Sequence, residues 1–207
     1  MIDVSNLKDA LETLGFVAHG DIHEKVFPEI GCSLKVDFHA KKLIYPNEIK
    51  GRERNNGFDK KENFVVFECV CRLLSKGYRP EHIELEKEWH LGHDPKGGRA
   101  DICVTDTSGN MLFIIECKTW GREYDKALNN TKSDGAQLFS YWQQEQSCKW
   151  LVLYASDLKG GCIVHKASTI DCSDDANIVL LSKKDKSIKL YRDANTASAK
   201  YEAWKET

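Results

Sequence analysis

RADICVTDTSGNMLFIIECK, residues 99–118, decides the fold. Its second half, from Met111, is apolar on both faces until Glu116, the mark of a central strand covered on both sides of a sheet. Its first half contains a second strand, Ala100–Val104, and the Thr107-Ser108-Gly109-Asn110 stretch between them is a turn. The two strands therefore pair as an antiparallel hairpin. Upstream, IELEKEW (83–89) reads as a third strand, preceded by ENFVVFECVCRLLSKGY (62–78). That run has helical length, is apolar nearly all round and stops at Gly77 with Pro80 beyond, so it forms a helix buried between layers. Downstream, a polar loop leads into a helix at about 132–146, and WLVLYASD (150–157) is another buried strand. The order helix, three strands, helix, strand gives an α/β fold with a central mixed sheet flanked by helices.

The flanks are less regular. Val4–Phe16 has apolar residues at helical spacing and a stop at Gly15. Ser33–Phe38 alternates, which puts Leu34, Val36 and Phe38 inward, and with Lys41–Tyr45 it forms a hairpin around His39-Ala40. Residues 47–61 are a polar connector, either a solvated loop or an arm that touches nucleic acid through Lys50, Arg52 and Arg54. CIVHKA (162–167), NIVLLSK (177–183) and SIKLYR (187–192) read as short strands of a peripheral sheet or extension. Three parts follow: residues 1–61, a core at 62–160, and 161–207 leading into a further domain. The final YRDANTASAKYEAWKET has helical character without a stop signal, so the chain is expected to continue into a larger polypeptide.

Composition excludes several classes. No apolar run is long enough to cross a bilayer, and the acidic start MIDVSNLKD is not a secretory signal, which places the protein in the cytoplasm. The eight cysteines are scattered, without a C-x-x-C pair, and several sit in apolar runs as small buried hydrophobes of a reducing compartment. A net charge of −2 lacks the basic excess of a free-standing nucleic-acid binder. Metal-binding carboxylates would add negative charge, and a partner could supply phosphate contacts.

The chemistry concentrates at Glu116-Cys117-Lys118. A strand period of two sends Glu116 and Lys118 to one face. Charges at the end of a buried apolar strand must be paired or bind a metal. One ion pair would explain two charges, but the hairpin brings a third, Asp101, beside them. Two adjacent carboxylates repel unless a cation intervenes, and hard oxygen ligands favour Mg²⁺. Such an ion activates water and neutralises charge on a phosphoryl group, while Lys118 orients the water or stabilises the transition state. These residues point to metal-assisted hydrolysis of a phosphodiester.

Asp101 followed by Glu116-Cys117-Lys118 resembles the PD-(D/E)XK nuclease signature, with Ala100 where the signature has its proline. The element order is similar to that superfamily's restriction-endonuclease-like core. Glu68, a lone carboxylate in FVVFECVCRLL, matches a helix-borne glutamate that joins the metal site in such nucleases; an i,i+4 pair with Arg72 is its structural alternative. Gln137 and Tyr141 share one helix face and resemble the Q-x-x-x-Y pair of the N-terminal nuclease domain of type I restriction enzyme R (motor) subunits. The wording of residues 1–160 is similar to that region.

The resemblance implies a catalytic set of Asp101, Glu116, Lys118, Glu68, Gln137 and Tyr141, with Asp101, Glu116, Cys117 and Glu68 at the metal. It implies Mg²⁺, replaceable by Mn²⁺, as cofactor, and ATP only through a motor domain outside this chain. The implied partners are double-stranded DNA and the helicase/translocase or methyltransferase and specificity modules of a restriction complex. Arg99 and Trp120 flank the site and can contact DNA or simply pack. His90 and His93 have zinc-ligand spacing without an evident second pair. The alternatives are a repair or modification-dependent nuclease of the same superfamily, and an inactive nuclease-like module kept for DNA binding or assembly.

Overall fold

The computed structural model describes residues 1–89, 98–134 and 136–182. It is a mixed α/β structure with two sheets. The expected strands Ile83–Glu88 (β5), Arg99–Thr105 (β6), Met111–Cys117 (β7) and Trp150–Lys159 (β8) are present, joined by Cys162–Asp171 (β9) in one five-stranded sheet of order β5-β6-β7-β8-β9. Every neighbouring pair is antiparallel except β7 with β8, which is parallel and makes the sheet mixed. The helix Lys61–Ser75 (α2) packs on β7 and β8, and its buried side chains join Ile102, Val104, Ile115, Cys117, Val152 and Tyr154 in one apolar core. The opposite face carries Cys103, Ile114, Leu151, Leu153 and Ala155 beneath two further helices, Arg122–Asp134 (α3) and Ala136–Gln144 (α4). This two-sided cover is why β7 reads as a continuous apolar run.

The first core extends into the N-terminal part. Leu7–Thr13 (α1) and the inner face of a second, four-stranded antiparallel sheet pack against it, with Leu34, Val36 and Leu43 fully buried. That sheet runs Val17–His19 (β1), Ile22–Phe27 (β2), Cys32–Asp37 (β3) and Lys42–Ile44 (β4). The hairpin expected at 39–40 joins β3 to β4. Residues 49–50 of the polar connector lie against β5, where the Leu85 amide donates to the Lys50 carbonyl at 2.8 Å.

Several elements depart from the sequence reading. β1 and β2 were not expected. Val17 and Val26 face solvent, so 17–27 lacks a clear apolar side. The polar loop before the expected helix at 132–146 is instead α3, which buries only a narrow stripe including Tyr124 and Thr131. The expected short strand at 162–167 is the long β9 of the main sheet, paired with β8 over its whole length. The expected strand at 177–183 is a helix, Asp175–Ser182 (α5). Short apolar runs do not distinguish the two states by pattern, and Asp174 decides, its carboxylate accepting from the Ala176 amide at 3.0 Å as a cap. Residues 187–192 and the C-terminal helical stretch lie outside the described residues. Among the described residues no helix is long and apolar enough to cross a membrane.

Candidate active site

β6 and β7 pair with Ile102 opposite Ile115 and Cys103 opposite Ile114. One further step of that register sets Asp101 opposite Glu116, on the face shared with Cys103 and Ile114. There the ladder gives way to a side chain, and the Cys117 amide donates to Asp101 Oδ2 at 2.6 Å. Lys118, whose backbone amide donates to the Tyr154 carbonyl at 2.8 Å at the strand end, places Nζ 2.5 Å from Glu116 Oε1. The three charges read from the sequence thus meet at one end of the central strand.

Tyr141 comes down from α4 and is fully buried. Its hydroxyl accepts from the Gln137 side-chain amide and faces both the Arg99 carbonyl and Glu116 Oε2, the latter at 3.0 Å. A phenol has one proton, so these two oxygens compete for it. The Gln137/Tyr141 pair therefore touches the site directly. The Tyr141 ring stacks on Trp89 and lies against Gly98, where an added Cβ would fall 2.6 Å from Tyr141 Cε1.

A family model described as Type I restriction enzyme R protein N terminus (HSDR_N) matches residues 62–169, just over half of the 207 residues. The chain belongs to that family. None of the curated proteins matches it. The span that carries this R-protein match begins at Glu62 on the first turn of α2 and ends within β9, so it holds every residue of the site.

Glu62 is the residue that sequence reasoning missed. Its Oε1 lies 3.2 Å from Lys118 Nζ, making it the second carboxylate on that ammonium. Acids are ordinary in a first helical turn, where they face the positive end of the helix dipole, so nothing in the pattern singled it out. The register of the helix on the sheet was needed to find it. Glu68, which the resemblance put at the metal as the lone carboxylate of an apolar helix, is placed elsewhere. Its carboxylate accepts from Arg72 at 2.7 Å and from the Tyr154 hydroxyl at 2.6 Å. Tyr154 belongs to the α2 face of the sheet, opposite the face of Glu116 and Leu153. The helix-borne carboxylate at the site is Glu62, and Glu68 forms the alternative i,i+4 pair with Arg72, its carboxylate buried and the guanidinium partly exposed.

The electrostatics follow from burial. Asp101 is held well above the usual carboxylate range, first by burial and then by the charges of Glu116 and Glu62. Glu116 is also raised by burial, against the lowering influence of Lys118 and Tyr141. Lys118 is raised because Glu116, Glu62 and Asp101 together outweigh its own burial. Three carboxylates share one ammonium, an imbalance that a divalent cation would remove. The donors are hard oxygens, as Mg²⁺ prefers. The Cys117 thiol is fully buried on the α2 side beside Cys69 and is pushed well up by burial, which leaves its backbone carbonyl as the oxygen it can offer. In an extended strand that carbonyl points to the same side as the amide, toward Asp101. Among the described residues no three His, Cys, Asp or Glu side chains form a complete cage. Mg²⁺ needs none, since it binds through one or two carboxylates and keeps several waters. The donor set fits the ion.

A cavity of about 210 Å³ opens beside Glu116 and Lys118, walled by Lys126, Asn130 and Thr131 of α3 and Gln137 of α4. Arg99 pairs with the buried Glu86 at 2.5 Å, and Trp120 follows Lys118 by two residues. His90 and His93 lie outside the described residues.

Proposed function

We propose that the chain is a Mg²⁺-dependent deoxyribonuclease module of the PD-(D/E)XK superfamily that hydrolyses phosphodiester bonds of double-stranded DNA in a restriction system. The convergence of Asp101, Glu116 and Lys118 at one strand end carries this reading. Asp101, Glu116 and the Cys117 carbonyl would hold Mg²⁺, or Mn²⁺ in its place. The ion when bound supplies Lewis acidity and a nucleophilic water at neutral pH. Lys118, with Glu116 and Glu62 on its ammonium, is positioned to orient that water or to neutralise charge developing on the phosphoryl oxygens. Tyr141, supplied with a hydrogen bond by Gln137, fixes the orientation of Glu116.

Membership in a family of restriction enzyme R proteins supports work within a larger complex. On this reading a helicase/translocase or methyltransferase module and a specificity module accompany the chain, with ATP consumed by the motor. The cytoplasm, where buried free thiols such as Cys69, Cys71 and Cys103 persist, is its compartment. The test is cleavage of plasmid DNA with Mg²⁺ by the assembled complex carrying wild-type chain, Glu116→Ala or Lys118→Ala. Cleavage should fall at least a thousandfold for each variant while thermal melting stays cooperative. A variant that keeps full activity would remove this assignment.

A further inference from the structure

Lysines outside the triad line up on the same face and edge of the sheet. The pairing of β7 with β8 continues to Lys118 opposite Ala155, and Ala155 pairs with Lys166 on β9. Lys118 and Lys166 therefore sit on one rung with a single strand between them, roughly 10 Å apart at the backbone. Lys159 follows four residues after Ala155, on the same face and near the tip of the hairpin. Both hairpin lysines reach the Trp120 ring, with Lys159 Nζ at 4.2 Å and Lys166 Nζ at 4.7 Å from its centroid. Lys166 also stands 4.1 Å over the Tyr124 ring. Two ammoniums gathered on one indole repel each other, and among the described residues the one carboxylate paired with them is Asp125, at 3.1 Å from Lys166. The aromatic faces offset part of that repulsion and restrict the long side chains, so a concentrated positive charge is held ready beside the cleft. Lys126, exposed on α3, walls the cleft with Glu116 and Lys118 and adds a third ammonium outside the triad.

We propose that Lys126, Lys166 and Lys159, the last two seated on Trp120, form a track that holds the phosphodiester backbone of DNA flanking the scissile bond. The track deepens the nuclease reading and rests on it. It also accounts for DNA contact by a chain of net charge −2, since the positive charge is local. A backbone is the occupant that fits, because a row of ammoniums matches successive phosphates and carries no pattern of base-reading donors and acceptors.

The test measures binding separately from cleavage. Fluorescence anisotropy of a labelled 20-base-pair duplex is followed against the full chain in EDTA at several salt concentrations. Lys159→Gln/Lys166→Gln should weaken binding at least tenfold at low salt. It should also reduce the slope of log affinity against log salt by about 1.8, since each phosphate left without its lysine accounts for about 0.9. Lys159→Arg/Lys166→Arg should restore both, and Lys8→Gln/Lys42→Gln, on the N-terminal half, should change neither. An unchanged slope, an equal weakening in the control, or no binding by wild-type chain at the lowest salt would overturn the track. A reduced slope without cleavage by the assembled complex would leave the track standing and remove the nuclease reading. Cleavage that depends on Glu116 with an unchanged slope would do the reverse.

Discussion

At the scale of single residues, two glutamates six apart on one helix have opposite tasks. Glu62 is partly exposed and touches the Lys118 ammonium, so removing its charge should alter chemistry and hardly alter stability. Glu62→Gln is expected to lower cleavage more than tenfold, with unfolding free energy within about 0.5 kcal/mol of wild type, the range for substitutions away from buried networks. Glu68 is buried with Arg72 and Tyr154, and its loss strands a guanidinium that is only partly open to solvent. Glu68→Ala should destabilise the fold by about 3 kcal/mol, the low end for a broken buried pair because water reaches Arg72. Its residual activity, measured well below the melting temperature, should exceed that of Glu62→Gln. Denaturant melts of both variants beside the cleavage assay check this ordering, and the reverse ordering would return Glu68 to the site.

At the scale of elements, the sequence was legible wherever burial was two-sided or strictly alternating. β7, β8, α2 and β3 came from such patterns, and the β6–β7 hairpin with its turn sufficed to place Asp101 beside Glu116. What stayed hidden depended on packing between distant elements. α3 is polar along most of its length, β1 and β2 expose valines, and no local signal says that α2 meets the sheet with Glu62 rather than Glu68 at the strand end. Gly98 shows the same dependence, because its missing side chain matters only where α4 lays Tyr141 on it. Gly98→Ala should push the ring aside and lower cleavage about tenfold with a small effect on duplex affinity, which activity and anisotropy measured together would establish. The sheet also predicts a pH response. His165 on β9 stacks on Tyr154 and is held below its usual value by burial and then by Arg72, with Lys76 acting in the same sense and Glu68 against it. The folded state thus resists a proton that the unfolded chain accepts near pH 6.5. Stability from this group is complete above that value and is lost as pH falls below it. The Asp101 and Glu116 carboxyls, raised by burial, act in the opposite sense and gain stability as pH falls. The test is therefore a difference: the melting temperature of wild type relative to His165→Gln should drop between pH 7.5 and 5.5.

At the scale of the whole molecule, charge separates folding from function. The core of α1, the N-terminal sheet, α2 and the larger sheet is apolar, while the site crowds Asp101, Glu116 and Glu62 around Lys118 at its edge. Burial and mutual repulsion of carboxylates work against stability, so a divalent cation bound there should stabilise the entire cooperative unit by mass action. With a dissociation constant on the order of 1 mM, 10 mM Mg²⁺ would add about 1.4 kcal/mol. In a domain of this size that corresponds to a rise of about 3–6 °C in melting temperature. Mn²⁺ should act in the same way. Asp101→Asn removes a carboxylate that burial already disfavours, so the metal-free variant should melt no lower than wild type, and its response to Mg²⁺ should largely disappear. Scanning calorimetry of both proteins with EDTA, Mg²⁺ and Zn²⁺ tests this directly. An equal Mg²⁺ shift in the variant would place the ion elsewhere, and a response to Zn²⁺ alone would move attention to His90 and His93.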